Sequence, residues 1–386
     1  MTVPLPDAGD GSRRRRRSDR RSGARRIALR LVGIVLLVAV VAGIGWVIVG
    51  LATGDDDAPS TGGAAASSTK TSPPSLVVLT DTAGDVYGLT ILAPARATIV
   101  HVPPGTLVEV PSLGLASLRD AARDGGIPLL QHSLENVLGV SFASMAVLNP
   151  TDLAAAVTAV GPLEVTIDSA VSAREPSGRV TVVVPAGTQT VAPDAAFNLL
   201  STVGDGTSLD RLVRHQAFWS AYLGALGNDT PTGPFASVAP ALKTLAHDDV
   251  QHTILPVEAV SGVEGDRELY RVVDADLDRL VQRLFGVSTH RITVQVLNGV
   301  GAPGVAQLVQ PFLVNAGARM TLSGNADRFD YSTTQIVYYD DAHRADAAAV
   351  RKALGTGELV KSLTGLDVVD VTVVVGTDFT STHPGG

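Results

Sequence analysis

Arg211 and Arg214 stand three residues apart in Asp210-Arg211-Leu212-Val213-Arg214-His215-Gln216. They fall inside Leu209 to Leu226, whose apolar spacing predicts an amphipathic helix with Leu212, Val213, Phe218 and Leu223 available to a core. At that spacing both guanidinium groups share one helix face. Together they form a candidate site for an anion such as a lipid phosphate, because the guanidinium fork bonds phosphate oxygens in pairs. The competing expectation is that they pair with Asp205 and Asp210 or lie solvated. Asp81 and Asp85 are the other charged candidates. They could belong to a divalent-cation site, although acids in a loop after a strand are commonplace.

Other chemistries find less support. The chain has no cysteine, and its eight histidines, among them His101, His132, His215, His247 and His252, show no H-x₃-H spacing on an evident helix, which disfavours a zinc site. Neither a Gly-x-Ser-x-Gly elbow nor a Ser-x-x-Lys box occurs, so nothing in the motifs suggests serine-hydrolase chemistry. Gly299-Val300-Gly301-Ala302-Pro303-Gly304 reads as G-x-G-x-x-G between a strand and a helix. A pyrophosphate there would need free amides, and Pro303 removes one. The nearest acid for a ribose, Asp327, follows Gly324-Asn325 in a loop rather than ending a strand. A tight strand-to-helix turn is the simpler expectation.

The elements that must position these groups divide by composition. Residues 1–30 carry ten arginines against Asp7, Asp10 and Asp19, a net charge of +7 within a chain of net −8. Residues 31–52 are uncharged and apolar. At about 1.5 Å per residue they span ~33 Å, enough for one transmembrane helix. Arginine excess marks the cytoplasmic flank, so the expected arrangement is a single-pass plasma-membrane protein with its N-terminus inside and the acidic remainder outside. A cleaved signal peptide has a shorter apolar region. The arginines are then explained by orientation rather than by nucleic acid. Residues 53–74, rich in Gly, Ala, Ser and Pro, predict a flexible linker with a reach of ~25 Å.

From 75 to 287 short β-rich runs alternate with helical ones, an α/β pattern with mixed strands. Strands are predicted at 76–79, 89–92, 98–100 and 163–167, and helices at 116–123, 129–138, 151–160, 194–200 and 274–285. Residues 288–380 read as a smaller α+β unit of βαββαβ order, and 381–386 as a disordered tail. Aromatic residues make up only 4% of the chain, so the core is aliphatic and a nucleic-acid face of stacked rings is not expected.

The smaller unit resembles the LytR C-terminal domain of actinobacterial envelope proteins. The resemblance rests on Val294-Gln295-Val296-Leu297-Asn298-Gly299, Gly304-Val305-Ala306, Ala316-Gly317, Tyr331-Ser332-Thr333-Thr334 and Val375-Gly376-Thr377-Asp378-Phe379. It implies a non-catalytic interaction module. The larger unit resembles a diverged LytR-CpsA-Psr domain through Leu134 to Val140, Asp152 to Ile167, Ala186-Gly187-Thr188-Gln189, Pro193 to Leu200 and Asp210 to Gln216. That family transfers polymers from a polyprenyl-phosphate carrier onto peptidoglycan, with acids holding a divalent cation and arginines holding pyrophosphate.

The departures from the family bear on activity. Its Pro-Arg-Asp strand end is here Pro103-Pro104-Gly105, and its Arg-x-Arg is here within Leu200-Ser201-Thr202-Val203. Phosphoryl transfer works almost wholly through positioned cations, and one lost electrostatic donor costs roughly 10²–10³ in rate. The expectation is therefore a membrane-anchored, non-catalytic binding or scaffold protein of cell-envelope assembly, without a cofactor. Asp81 and Asp85 would be cation-site remnants. Its expected partners are the plasma membrane and polyprenyl-phosphate-linked glycans or cell-wall synthesis proteins. The alternative is an active phosphotransferase using Mg²⁺ or Mn²⁺.

Overall fold

The computed structural model describes residues 73–175, 177–261, 268–288, 291–363 and 368–383. The basic tail, the apolar run 31–52 and all of the linker before Pro73 lie outside the described residues. No helix among the described residues is long and apolar enough to cross a membrane.

The larger domain is built on a five-stranded mixed sheet in the order Gln251–Ile254, Thr98–Val102, Val86–Ala93, Ser75–Thr80, Ser144–Leu148. The central strand Val86–Ala93 is antiparallel to both of its neighbours, and the two outer strands run parallel to theirs. Every residue of Ser75–Thr80 is buried. The two-residue period of a strand sends Leu76 and Val78 to one face and Val77 and Leu79 to the other, and each face has its own aliphatic core.

Among the described residues this domain has six α-helices: α1 (Leu118–Leu138), α2 (Pro150–Val160), α3 (Ala196–Ser201), α4 (Ser208–Leu226), α5 (Ala239–Leu245) and α6 (Asp274–Phe285). Helices α1 and α6 close one face of the sheet, and α2 to α5 close the other. The segments predicted at 116–123 and 129–138 are two arms of α1, joined at Gly126, whose φ of 74° and ψ of −179° break the helical path just before Pro128. A second sheet (Val257–Ala259, Tyr270–Val272, Thr106–Val110, Gly114–Ser117), the antiparallel pair Leu163–Ile167 and Gly187–Val191, and the hairpin Val171–Arg174 and Val180–Val184 that lies between them in the chain complete the domain. Most of these strands escape the sequence pattern because they are short and half-exposed.

The smaller domain has a five-stranded sheet ordered Ala318–Asn325, Ile292–Asn298, Val371–Val375, Gln335–Tyr338, Glu358–Lys361. Helices α7 (Val305–Asn315) and α8 (Arg344–Leu354) pack on it. Glu358–Lys361 is one strand more than the βαββαβ order predicts. Helix α9 (Thr377–Thr382) corrects the expected disordered tail: Ser381 and Thr382 are helical, and the α9 residue Phe379 is fully buried in the core.

The two domains are locked together. In α1, the buried Asn136 donates from Nδ2 to the Met320 carbonyl and accepts at Oδ1 from the Met320 N–H, both at 2.8 Å. It thus completes the edge strand Ala318–Asn325 of the smaller domain's sheet as another strand would. Arg291 bonds the Val137 carbonyl at 2.6 Å and Asp278 at 2.8 Å. Ser323 donates to Glu109 at 2.7 Å, and burial raises the Glu109 carboxyl while that bond pulls it down.

Candidate functional site: a cleft along helix α4

Helix α4 begins with a capping box in which Thr207 accepts from the Asp210 N–H and Asp210 accepts from the Thr207 N–H. Glu268 adds a further acceptor, bonding the Ser208 N–H at 2.7 Å and the Tyr270 hydroxyl at 2.5 Å. The buried face of the helix carries Leu212, Phe218, Trp219, Tyr222 and Leu223. Val213 departs from its predicted core position: it is 48% exposed and lines a cleft instead.

Both candidate arginines are buried on α4, and both reach back to the C-terminal end of α3. Arg214 donates from Nε to the Leu199 carbonyl at 2.9 Å and from Nη2 to the Thr202 carbonyl. Arg211 lies 3.5 Å from the Ser201 carbonyl, with its guanidinium 6.0 Å from the centre of the Tyr87 ring. The next residue, His215, donates from Nε2 to the Leu200 carbonyl at 3.0 Å. Three side chains of α4, those of Arg211, Arg214 and His215, thus meet the carbonyls that a helix leaves unbonded at its C-terminus, where cations are also favoured by the helix dipole. These carbonyls belong to the segment in which the family pattern has Arg-x-Arg. The partners are carbonyls, where the sequence suggested the carboxylates of Asp205 and Asp210. Burial lowers the Arg214 pKa, opposed by the nearby charge of Asp210.

Asp81 does local work. Its Oδ1 accepts from the N–H groups of Ala83 at 2.8 Å and Asp85 at 2.9 Å, which holds the turn between Ser75–Thr80 and Val86–Ala93. Among the described residues no three His, Asp or Glu side chains converge in a group able to hold a metal ion. Pro103-Pro104-Gly105 is a packed turn: the Pro103 carbonyl accepts from Thr106, and a Cβ on Gly105 would sit 2.0 Å from the Glu268 carbonyl oxygen. The G-x-G-x-x-G segment is a closed turn as well. Asn298 Oδ1 takes the N–H groups of Val300 and Gly301, and a Cβ on Gly299 would lie 2.6 Å from the Val375 carbonyl oxygen.

Beside α4 runs a cleft of about 690 Å³, walled by the Thr166–Ser172 segment, the Val203–Gly206 loop and the exposed face of the helix. Ile167, Val171, Val203, Val213 and Ala217 make much of its wall apolar. Its charged lining is Asp168, Asp205, Asp210, Arg214 and the ionisable His252. Acids outnumber the single arginine, and that arginine's Nε and Nη2 already serve the carbonyls at the end of α3. The arrangement suits an uncharged or amphiphilic ligand better than a bare anion.

A hydrogen-bonded chain crosses the cleft wall. Ser220 Oγ lies 3.0 Å from His252 Nε2, and His252 Nδ1 lies 3.1 Å from His101 Nε2. The two imidazole planes are within 15° of each other. His215 approaches His101 edge-on at 6.2 Å between ring centres, in space left by Gly88, where a Cβ would meet His215 Cε1 at 2.4 Å. Burial lowers the pKa of all three imidazoles. The pKa of His215 is pushed down to about 3, chiefly by burial and then by Arg211. That of His101 falls well below 6.5 through burial and its histidine neighbours, and that of His252 falls through burial. No spacing in the sequence announces this cluster, since its members come from two strands and a helix. The two-residue period does put His101 on the face of Ile99, toward α4.

The site is an apolar, acid-edged cleft in the larger α/β domain. Residues 291–379 match the family described as LytR cell envelope-related transcriptional attenuator. No curated protein matches the chain. Solved structures similar to it include a transcriptional regulator from Enterococcus faecalis, 14% identical over 56% of this chain and 88% of that one, with a TM-score of 0.44. Another is the LytR-CPS2A-psr family protein YwtF (TagT) with bound octaprenyl pyrophosphate lipid, at 16% identity, 57% and 92% coverage and a TM-score of 0.43. Bacillus subtilis TagV gives 12%, 56%, 96% and 0.44. These likenesses concern the fold alone.

Proposed function

We propose that this chain is an extracytoplasmic component of bacterial cell-envelope assembly, held at the plasma membrane by residues 31–52. In this role it binds amphiphilic wall precursors or wall-synthesis proteins rather than transferring glycopolymer itself. The observation that carries the non-transferring part is the bonding of Arg214. Transferred phosphoryl groups need preorganised cations aimed at them, and here Arg214 is directed into backbone carbonyls while acids edge the cleft. The C-terminal domain of the LytR family supports the envelope setting, and the apolar cleft walls support an amphiphile. The basic flank of 31–52 supports the tether, which would keep the cleft at the membrane surface and raise its effective concentration toward lipid-linked ligands.

The test offers purified full-length chain a polyprenyl-pyrophosphate-linked glycan with Mg²⁺ or Mn²⁺ and a peptidoglycan acceptor. Retention of the lipid without turnover is the expected result. Turnover above a protein-free control that disappears in Arg214→Gln would establish the phosphotransferase instead, with a divalent cation as its cofactor.

A further inference from the structure

We propose that Ser220 is a nucleophile toward uncharged carboxylic esters bound in the α4 cleft, with His252 as its general base and His101 as the group that orients His252. This proposal is independent of the envelope role, and its chemistry is acyl rather than phosphoryl transfer. The spacing has the form that nucleophilic catalysis requires: nucleophile to base at 3.0 Å, and base to orienting group at 3.1 Å. Ser220 is exposed and His101 is fully buried, so the chain runs from the core to the open cleft that Ser220 and His252 both line. Such arrangements are recognised by geometry and roles and can arise on unrelated folds, which is why the missing Gly-x-Ser-x-Gly motif does not exclude it.

The active tautomer follows from the direction of proton flow. Ser220 Oγ–H donates to His252 Nε2, and His252 Nδ1–H donates to His101 Nε2, leaving the proton of His101 on Nδ1, a buried atom with no hydrogen-bond partner among the described residues. Gln216, one helical turn before Ser220, brings the one amide side chain among the described cleft residues and is the donor for a developing oxyanion. The apolar walls select an ester with an aliphatic arm, and the acidic edge disfavours an anionic one.

The bonds and protons balance. Ser220 Oγ bonds the ester carbonyl carbon as its proton passes to His252 Nε2. The carbon–alkoxy bond then breaks, and His252 returns that proton to the departing alcohol. Water attacks the acyl-serine, giving a proton to His252, and the bond from the acyl carbon to Oγ breaks as His252 reprotonates Oγ. The net change is ester plus water to acid plus alcohol.

The test treats the purified full-length chain with p-nitrophenyl butyrate and, separately, with a fluorophosphonate probe. The expected results are ester hydrolysis above buffer, a probe adduct located at Ser220 by mass spectrometry, and a loss of roughly 10²-fold or more in Ser220→Ala and in His252→Gln. Because burial depresses His252, the rate should titrate through a pKa below 6.5. Ser220→Ala changes an exposed helical position, so an unchanged melting curve will verify its fold. Equal hydrolysis by wild type and Ser220→Ala, or no adduct at Ser220, would overturn the proposal.

Discussion

Acid should destabilise the larger domain through His215, by an amount that one substitution can isolate. This imidazole is buried, bonded to the Leu200 carbonyl and placed between two arginines, and its pKa is pushed down to about 3 from 6.5. The folded protein therefore keeps it neutral while the unfolded chain takes up the proton first. Its contribution to stability is present above the unfolded pKa of 6.5 and is lost as pH falls toward 3. The loss approaches about 1.4 kcal/mol per pH unit in that window. From about pH 7 to about pH 4.5 it amounts to roughly 2–3 kcal/mol. Denaturant unfolding at the two pH values, in wild type and His215→Gln, measures it. Glutamine keeps an N–H donor for Leu200 but does not titrate, and the protonation of carboxylates and of His252 is common to both proteins. Wild type should lose roughly 2–3 kcal/mol more than the variant. Equal losses in the two proteins would refute the claim that His215 is held neutral by its surroundings.

Two further substitutions test the packing that supports the cleft. Asn136→Ala strands the N–H and carbonyl of Met320 at the domain junction, with a cost of about 1–3 kcal/mol for each group left unsatisfied; a single cooperative unfolding transition in wild type should fall in midpoint or split in two. Gly88→Ala places a Cβ 2.4 Å from His215 Cε1, and overpacking of this kind costs about 1–3 kcal/mol. It should lower the melting temperature while the same change at Gly224, where a Cβ would meet nothing within 4 Å, does not.

The parts of this fold that are legible in the sequence are those with strong local periodicity. The alternation in Leu76-Val77-Val78-Leu79, the helical spacing of Leu209 to Leu226 and the Asn-Gly turn of Asn298-Gly299 each lead to the observed element. Strands such as Gln251–Ile254 and Val257–Ala259 stay hidden because three or four half-exposed residues carry little pattern. Val213 departs from the core position its spacing predicts because it sits at the margin of the apolar stripe, facing the cleft. At the site, the sequence identified Arg211 and Arg214 as neighbours on one face. It gave no sign that their partners would be the carbonyls ending α3, since backbone acceptors carry no residue signature. The Ser220, His252 and His101 chain was invisible for a different reason: its members are joined by strand register and helix docking rather than by proximity in the chain.

The central claim is that the cleft binds without transferring phosphoryl groups, and the transfer assay on full-length chain tests it most directly. Polyprenyl-pyrophosphate-linked glycan, Mg²⁺ or Mn²⁺ and peptidoglycan acceptor are incubated with wild type and with Arg214→Gln, and both retained lipid and transferred glycan are measured. The account predicts retained lipid and no transfer with wild type. Transfer by wild type that is abolished in an Arg214→Gln protein of unchanged melting behaviour would contradict it.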